Sequence, residues 1–217
     1  RLQNSTMSYI IRDFLKRGIV IESGKREGAG NKKQTWLQMN PKLGWVIGIV
    51  VQNVYAELVK VDYSGEIIDS CNFEVDSDIT TLPLYLKNRL GNWFAERGRP
   101  PGPMKGICLG LPAVVNPQEG VIKSSAFFNV QNYAIASELE SLFPDSTIII
   151  DNDARQAAMA EYMHIDTVSE NFLFFYTNYQ RVSQGIKPGT FGSALFVDGK
   201  MLNGAHSSAG ELNGILK

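Results

Sequence analysis

Near the start of the chain, apolar residues recur with the spacing of an amphipathic helix. They follow an i, i+3, i+4, i+7, i+8 pattern: Met7, Ile10, Ile11, Phe14 and Leu15. This pattern predicts a helix over residues 5–17, because positions with this spacing share one helical face. We expect Asn4 or Ser5 to cap the start of the helix. Gly18 should end it, since glycine readily adopts the left-handed conformation that closes many helices.

A strand pattern follows the helix and returns after a glycine-rich loop. Residues 18–22 predict a short strand, and residues 34–39 alternate as a second one. The loop between them, residues 23–33, contains three glycines and four lysines or arginines. Helix, strand, basic tip and strand together are typical of a winged helix. Each piece alone fits a solvated helix or an ordinary hairpin, so the prediction depends on the combination.

The central part of the chain changes from strands to alternating helix and strand. Residues 45–51, 54–62 and 66–75 predict three consecutive strands, with a turn at residues 63–65. A largely helical stretch follows over residues 78–98, with Pro83 tolerated in its first turn. Residues 97–103 form a loop rich in proline and glycine, and residues 104–111 predict a buried strand. This order is typical of the actin-like, ribonuclease-H-like α/β fold.

A second strand-to-helix junction lies at residues 148–161. Ile148, Ile149 and Ile150 predict a buried strand, and the alanine-rich sequence after them predicts a helix. The polar cluster between them, Asp151-Asn152-Asp153, falls at the carboxyl end of the strand, where open α/β sheets bind ligands. Its amide and carboxylates suit a ligand with several hydroxyl groups. The alternative is structural, because Asp153 and Gln156 also make a good helix-capping pair.

Charge divides the chain into a basic beginning and an acidic remainder. Residues 1–41 carry eight Lys or Arg and three Asp or Glu, whereas residues 42–217 carry thirteen and nineteen. A net charge of +5 on so short a segment suggests contact with a phosphate backbone. The helix face opposite the apolar positions fits this, since small hydroxyls precede positive charge along it: Ser5, Ser8, Tyr9, Arg12 and Lys16.

The length and the cysteines set broader expectations. A chain of 217 residues with 44% hydrophobic content is long enough for more than one domain. Cys71 and Cys108 lie in apolar runs, so two buried thiols in a reducing compartment are expected, with a disulfide as the minority alternative. We find no signal peptide or bilayer-length apolar run, which predicts a cytoplasmic protein. The sequence starts at Arg1 inside a motif, so we expect it to be part of a longer protein.

The ordered motifs resemble the ROK family of sugar kinases and sugar-responsive transcription factors. The winged module of ROK regulators has its counterparts here at the following residues: Ser5-Thr6-Met7-Ser8, Gly28–Lys33 and Asn40-Pro41. The body of the family has further counterparts in order along the chain: Gly110–Asn116, Gly120-Val121-Ile122, Asn129, Asp151–Arg155 and Asp198–Glu211. The resemblance implies an α/β fold of actin-like, ribonuclease-H-like ROK lobes, preceded by a partial winged helix-turn-helix.

That resemblance also implies a division of the chain and a set of DNA-contacting residues. Residues 1–41 would be the partial winged module, residues 42–150 the first ROK lobe, and residues 151–217 the incomplete start of the second. The helix expected before the recognition helix is absent from this sequence. We predict that the DNA-binding residues lie on the recognition helix and the wing: Ser5, Thr6, Ser8, Tyr9, Arg12, Lys32 and Lys33.

The two phosphate-binding segments that ROK kinases need are degraded. An Asp-x-Gly-Gly-Thr hairpin positions magnesium and admits phosphates in the kinases, and the corresponding residues here are Val50-Val51-Gln52-Asn53-Val54. The second glycine-rich segment is kept only in part at Gly189–Ala194. Without a metal and phosphate cradle, phosphoryl transfer loses most of its electrostatic support. We therefore predict no enzymatic activity, no cofactor and no catalytic residue.

The sugar-binding positions of the family are better kept. Asn129, Asn152, Asp153 and Glu211 match positions that hold sugar hydroxyls, and Asn116 approaches the same cleft. The Glu-x-Gly-His motif departs at Glu211-Leu212-Asn213-Gly214, and its cysteine cluster is missing, so no metal site is expected. The predicted partners are operator DNA, a sugar or sugar phosphate effector, and a second copy in a homodimer or higher homo-oligomer.

Three hypotheses of function remain open from the sequence. The first is a sugar-responsive DNA-binding regulator, most simply a repressor of carbohydrate genes, in which the effector changes the spacing of two winged helices. The second is a ROK carbohydrate kinase that phosphorylates a hexose with ATP. The third is a regulator that no longer senses sugar and responds to a protein partner, for which the altered Glu211–Gly214 motif leaves room.

Overall fold

The N-terminal module consists of one helix and an antiparallel hairpin: α1 (Asn4–Lys16), β1 (Val20–Glu27) and β2 (Lys33–Met39). The computed structural model describes residues 3–27, 33–52, 55–76, 78–164, 170–182, 185–204 and 207–209. Gly18 ends α1 at φ +66° and donates to the Leu15 carbonyl, while Ile19 donates to the Phe14 carbonyl. This double closure is the Schellman motif that glycine permits, so the predicted end of the helix is confirmed.

Two boundaries in this module differ from the prediction. Asn4 and Ser5 lie inside α1 and cap nothing, because the helix begins earlier, with the Met7 N–H donating to the Gln3 carbonyl over 3.0 Å. The predicted loop at residues 23–33 is shorter, because a bulge between Glu22 and Gly24 lets β1 continue pairing to Glu27. Local sequence did not reveal the bulge, since its glycine also suits a loop.

Asn40 joins the hairpin to the helix and to the rest of the chain. Its side-chain Nδ2 donates to the Gly18 carbonyl over 2.8 Å, and its backbone N–H donates to the Ile19 carbonyl over 3.0 Å. Its Oδ1 accepts from the Lys42 N–H and caps the short 3₁₀ turn Pro41–Leu43. One asparagine therefore fixes the base of the module at its connection to the first sheet.

A five-stranded mixed sheet forms the centre of the fold, in the order β10-β6-β3-β4-β5. Its strands are β3 (Trp45–Gln52), β4 (Tyr55–Asp62), β5 (Ile67–Glu74), β6 (Met104–Leu111) and β10 (Thr147–Asn152). The first three form an antiparallel meander, and β6 and β10 add in parallel to β3. The four strands expected before residue 112 in the body of the chain are thus confirmed within a residue or two.

Two helices complete this part of the fold: α2 (Leu82–Arg97) and α3 (Ile135–Leu142). Pro83 lies in the first turn of α2 as predicted, where its missing N–H breaks no helical hydrogen bond. Alternate residues of β3 are buried, and they pack with α2 and α3 into one core. A separate antiparallel sheet projects from the carboxyl end of β6 and contains β7 (Val114–Asn116), β8 (Val121–Ser125) and β9 (Val130–Tyr133).

A second, smaller core begins after β10. It is built by α4 (Asp153–His164) and a three-stranded sheet of β11 (Phe172–Val182), β12 (Gly185–Val197) and β13 (Lys200–Met201). Ala158, Ala194 and Phe196 are buried there, with Tyr162 stacked on Phe196 at 4.4 Å between ring centroids. The α/β class and mixed sheet agree with the predicted fold, while the domain boundaries at residues 41 and 150 stay predictions. Among the described helices, none is long and apolar enough to cross a membrane.

Candidate functional site

The junction of β10 and α4 uses Asn152 as its structural cap. Asn152 is 7% exposed, and its Oδ1 accepts the Arg155 N–H over 3.1 Å at the start of α4. Its Nδ2 donates to the Ala113 carbonyl over 3.2 Å. The alternative in which Asp153 and Gln156 form the capping pair is therefore wrong, because Gln156 instead donates to the Leu109 carbonyl over 3.0 Å. The predicted sugar ligand Asn152 thus has its side-chain amide engaged within the fold.

Asp153 is the first residue of α4, and its side chain is half-buried. The carboxylate accepts the Ala154 N–H over 2.9 Å. Burial raises the pKa of Asp153 above its ordinary value, although hydrogen bonds from the backbone of Ala154 and of Asp153 itself oppose the shift. A carboxylate in such a place can accept hydrogen bonds from the hydroxyl groups of a ligand, and its raised pKa marks a functional-site candidate.

The raised pKa of Asp153 predicts a pH-dependent difference in stability between the wild type and Asp153→Asn. The native state holds the proton more tightly than the unfolded chain, so the wild type loses stability as pH rises from 3.8 through the native pKa. The free energy of unfolding of Asp153→Asn should therefore rise relative to wild type over this window. Urea unfolding from about pH 4 to pH 7 measures the difference.

Asp78→Asn provides a control of opposite sign. Hydrogen bonds from the Thr80 hydroxyl and the Thr80 N–H lower the pKa of Asp78, so its contribution to stability is present at neutral pH and lost as pH falls through the native pKa. This variant should lose stability relative to wild type at neutral pH and approach it in acid. If the stability of both variants relative to wild type changed in the same direction with pH, the raised pKa of Asp153 and the lowered pKa of Asp78 could not both be right.

Asn129 lies exposed in the turn between β8 and β9, with φ +49°. Asparagine tolerates this left-handed conformation better than most residues, so a turn role accompanies the predicted ligand role. Buried Ser125 fixes the turn, since its Oγ donates to the Pro112 carbonyl and accepts the Phe128 N–H over 3.1 and 3.2 Å. The adjacent Ala113 carbonyl accepts from Asn152, which links the turn indirectly to α4.

A polar contact that the sequence did not predict joins the five-stranded sheet to the sheet of β11, β12 and β13. Gln52, at the end of β3, donates through Nε2 to the Tyr176 hydroxyl of β11 over 2.7 Å. The Tyr55 hydroxyl donates to Gln52 Oε1 over 3.3 Å. Burial, followed by the nearby Asp153 carboxylate, raises the pKa of Tyr176. No local pattern distinguishes Tyr176 within an apolar run, because its partner lies 124 residues away in sequence.

Tyr176 lies between the two degraded phosphate segments, since it contacts the first and is the cross-strand neighbour of the second. Tyr176 pairs across β11 and β12 with Gly192, which belongs to the second segment, and Gln52 belongs to the first. A side chain at Gly192 would collide with the Cβ of Ala154 in α4. Gly192 is therefore required by the close packing of the helix on the strand.

The remaining predicted residues have separate positions. Asn116 accepts the Gln118 and Glu119 N–H groups and caps a turn between β7 and β8. On α1, the predicted face is open to solvent, and Tyr9 is 73% exposed. Glu211 and Lys32 lie outside the described residues, and Lys33 begins β2. Within the described ranges, no three His, Cys, Asp or Glu side chains are grouped as a metal site would require.

Comparison with known families matches the ROK family model to residues 46–215. Among individual relatives, the xylose repressor of Caldicellulosiruptor bescii is 24% identical over 213 residues, covering 97% of this chain and 51% of the repressor. The DNA-binding transcriptional dual regulator NagC of Escherichia coli K12 is 21% identical over 217 residues, covering 99% and 51%. The chain therefore spans about half the length of these relatives.

Solved structures show the same fold in regulators and in kinases. A ROK family transcriptional regulator, a homologue of the E. coli MLC protein, gives a TM-score of 0.73 at 20% identity, covering 97% of this chain and 51% of its own. A ROK family glucokinase from Streptomyces griseus, in complex with glucose and AMPPNP, gives 0.63 at 13% identity, covering 78% and 49%. At these identities the similarity establishes the fold alone.

Proposed function

Because the chain belongs to the ROK family, we propose that it is part of a sugar-responsive, DNA-binding transcriptional repressor of carbohydrate genes. In this proposal the kinase-like fold binds an effector and does not transfer phosphate. The contact between Gln52 and Tyr176 carries the proposal, because it engages the first of the segments that would hold phosphates in a kinase, and Tyr176 pairs across the sheet with Gly192 of the second. The named repressors among its relatives support the same function.

The geometry around Gln52 opposes a nucleotide phosphate site. Phosphate cradles depend on backbone N–H groups that glycine leaves accessible, whereas Gln52 carries a side chain bonded to Tyr176 over 2.7 Å. Entry of a triphosphate would have to break this bond between partly buried groups. Val50, on the same strand, supplies no carboxylate for magnesium. Loss of the metal and of the cradle removes the main sources of catalysis in phosphoryl transfer.

The N-terminal module supports the DNA-binding half of the proposal. Its recognition face presents small hydroxyls, Tyr9 and Arg12 to solvent, and the strands of the hairpin beside it contain Lys25, Arg26 and Lys33. The regulator structure covers 97% of the chain and the glucokinase 78%, a difference of about 41 residues, the length of the predicted module. The positive charge of this segment would contact phosphates, while Ser5, Thr6 and Ser8 would face base edges.

We place the effector near the start of α4. Asp153 supplies a half-buried carboxylate, and Asn129, Asn152 and Glu211 are its proposed companions. A sugar or sugar phosphate that binds one arrangement of the lobes more tightly would shift the population toward it. In a homodimer or higher homo-oligomer, this shift would alter the separation of two recognition helices and their fit to operator half-sites. The protein would work in the cytoplasm without a cofactor.

The test of this function measures DNA binding by the full-length protein and phosphoryl transfer from ATP to sugars. Selection from random duplex DNA should yield a preferred sequence, and xylose, glucose or N-acetylglucosamine should change affinity for it. Incubation with ATP, magnesium and the same sugars should form no ADP and no sugar phosphate above background. The repressor proposal is wrong if the protein shows no sequence-selective DNA binding.

Arg12→Ala makes a sharper prediction about the recognition helix. The variant should bind both the selected operator and unrelated DNA more weakly, because a phosphate contact is lost. The slope of log affinity against log salt concentration should shrink in magnitude by about 1. Lys87 is exposed on the outer face of α2, and Lys87→Ala removes the same charge there, so it should leave the slope unchanged. Equal slopes for wild type and Arg12→Ala would exclude Arg12 from the interface.

One observation favours the alternative of a ROK carbohydrate kinase phosphorylating a hexose with ATP. By its resemblance to the family, Asp153 matches the general base of the ROK kinases, and burial raises its pKa in the direction that suits a base. Hexose-dependent formation of ADP together with a hexose phosphate by the full-length protein, lost in Asp153→Asn, would establish this alternative.

A further inference from the structure

Three uncharged side chains form a hydrogen-bonded network at the end of β3. Gln52 donates through Nε2 to the Tyr176 hydroxyl over 2.7 Å, and its Oε1 accepts from the Tyr55 hydroxyl over 3.3 Å. Both ends of the Gln52 amide are therefore engaged within the protein. Gln52 and Tyr176 are partly buried, so a ligand that broke their bond would have to replace it with one of similar strength.

Close backbone packing places the start of α4 next to this network. The parallel pairing of β6 with β3 ends at Gly110, where an added Cβ would lie 3.5 Å from the Asp153 Cα. On β12, a Cβ added to Gly192 would collide with Ala154 and would lie 3.7 Å from Cδ1 of Tyr176. The first residues of α4 therefore lie close to the end of β3 on one side and to Tyr176 on the other.

The electrostatics of this place are those of a carboxylate without a countercharge. Burial, followed by the Asp153 carboxylate, raises the pKa of Tyr176, and burial raises the pKa of Asp153 itself. Among the described residues, only backbone hydrogen bonds oppose the shift at Asp153, and no lysine or arginine does. A cation beside these two groups would instead have lowered both pKa values.

The arginine of α4 is engaged within the fold. Arg155 is 4% exposed, and its Nε donates to Asp151 Oδ1 over 2.8 Å. Its Nη1 donates to the Leu202 carbonyl over 3.1 Å, and its Nη2 donates to Asn203 Oδ1. Binding an anion with this guanidinium would therefore mean breaking a buried ion pair and its accompanying hydrogen bonds.

We propose that Gln52 and Tyr176 close the effector site to phosphate next to Asp153, so that the effector is an uncharged sugar and its phosphate ester is rejected. A sugar hydroxyl can donate a hydrogen bond to the Asp153 carboxylate. A phosphate group in the same place would face a like charge and two side chains already bonded to each other. The inference rests on the proposed function, since it takes Asp153 as an effector-binding residue.

The test compares each sugar with its terminal phosphate ester, using xylose, glucose and N-acetylglucosamine and the full-length protein. The quantity measured is the ratio of the two concentrations, ester to sugar, that half-release the selected operator. In the wild type this ratio should be about 10- to 100-fold for the active sugar, the value of a charge-assisted hydrogen bond left unmade. A ratio is insensitive to a general change in stability or in operator affinity, because both ligands are affected alike.

Variants of the network should lower this ratio. Gln52→Ala removes the side chain, and Tyr176→Phe leaves the Gln52 amide able to donate to a phosphate, so each should lower the ratio by about 3-fold or more. Gln52→Lys supplies the missing cation and should lower it by about 10-fold or more. Gln118 is exposed in the turn after β7, and Gln118→Ala should keep the ratio of the wild type.

Titration calorimetry of the same ligands gives the ratio of dissociation constants without DNA, and so separates this inference from the proposed function. An ester that binds the wild type as tightly as its sugar, or more tightly, overturns the inference and leaves the sensor function intact. A large ratio that all three network variants keep overturns the role of Gln52 and Tyr176. If no sugar in either form binds the protein, the proposed effector function fails, and the inference fails with it.

Discussion

Replacement of Trp93 by alanine is expected to lower the free energy of unfolding by about 3–5 kcal/mol, the range for a fully buried aromatic residue. Trp93 lies on the inner face of α2 and is 1% exposed. Its removal would leave a cavity in the larger core that neighbouring side chains fill only in part. The helix that covers the meander of β3, β4 and β5 would then lose its largest anchor.

Trp93 also completes a polar cluster whose loss adds to the effect. Its Nε1 donates to Asp69 Oδ2 over 2.9 Å, and its ring lies 4.1 Å from the Nζ of Lys60. Lys60 is 3% exposed and its ammonium is 3.6 Å from Asp69, which also pairs with Arg97 over 2.7 Å. Alanine would remove the aromatic face beside a buried ammonium and one donor to its partner carboxylate.

Urea unfolding of the wild type, Trp93→Ala, Trp93→Phe and Trp36→Ala measures this prediction. Phenylalanine keeps an aromatic ring near Lys60 but loses the hydrogen bond to Asp69, so its cost should be smaller than that of alanine. Trp36 is 48% exposed on β2, and Trp36→Ala should lower stability by clearly less than Trp93→Ala, since less of its surface is buried. A similar loss in Trp36→Ala and Trp93→Ala would contradict the assignment of Trp93 to the core.

Regular periodicity explains which elements the sequence could predict. The helical spacing over residues 5–17 predicts α1, and Pro83 fits the first turn of α2; the structure has both at these places, although no residue of α1 is buried. The ends of helices were harder to predict, because they depend on which of several similar side chains makes the capping hydrogen bond. In Asp151-Asn152-Asp153 each residue is a suitable cap, and only the fold selects Asn152.

The candidate site was predictable in its location but not in its division of roles. Placing the cluster at the carboxyl end of a strand needs only the local pattern of β10 and α4. The partners that engage its members are distant in sequence: the Ala113 carbonyl for Asn152, and the turn after β13 for the Arg155 that pairs with Asp151. The ligand roles stay predictions, and the sequence alone could not show that the fold also uses the side-chain amide of Asn152 as a cap.

The degraded phosphate segments illustrate the same limit. The absence of a carboxylate at Val50 and of a glycine at Gln52 is visible in the sequence and argues against a kinase. The partner of Gln52 is visible only in three dimensions, because Tyr176 reaches it from another sheet. Similarly, Gly192 looks like a remnant of a phosphate loop, whereas its contact with Ala154 gives it a packing role.

Asp153→Asn should raise the sugar concentration that half-releases the operator by about 30- to 1,000-fold, if the proposed function is right. A carboxylate binding two sugar hydroxyls contributes about 1.5–3 kcal/mol per charge-assisted hydrogen bond, and the amide keeps only part of this. Asp151 is engaged by Arg155, and Asn152 caps α4, so Asp153 is the member of the cluster best placed to face a ligand. Asparagine has nearly the same volume, so the packing of α4 should be kept.

Asp153→Asn is expected to stay folded at neutral pH, so a change in its sugar response would reflect effector binding. Burial disfavours the charged carboxyl in the native state, so removing the charge should not destabilise the protein at neutral pH. Operator affinity without sugar should match the wild type, and Asp145→Asn, at an exposed turn, should respond to sugar normally. An unchanged sugar response in Asp153→Asn would remove Asp153 from the effector site while leaving the DNA-binding proposal intact. A simultaneous loss of operator binding would instead show that the charge of Asp153 acts on the arrangement of the lobes, because no direct contact with DNA is expected from the start of α4.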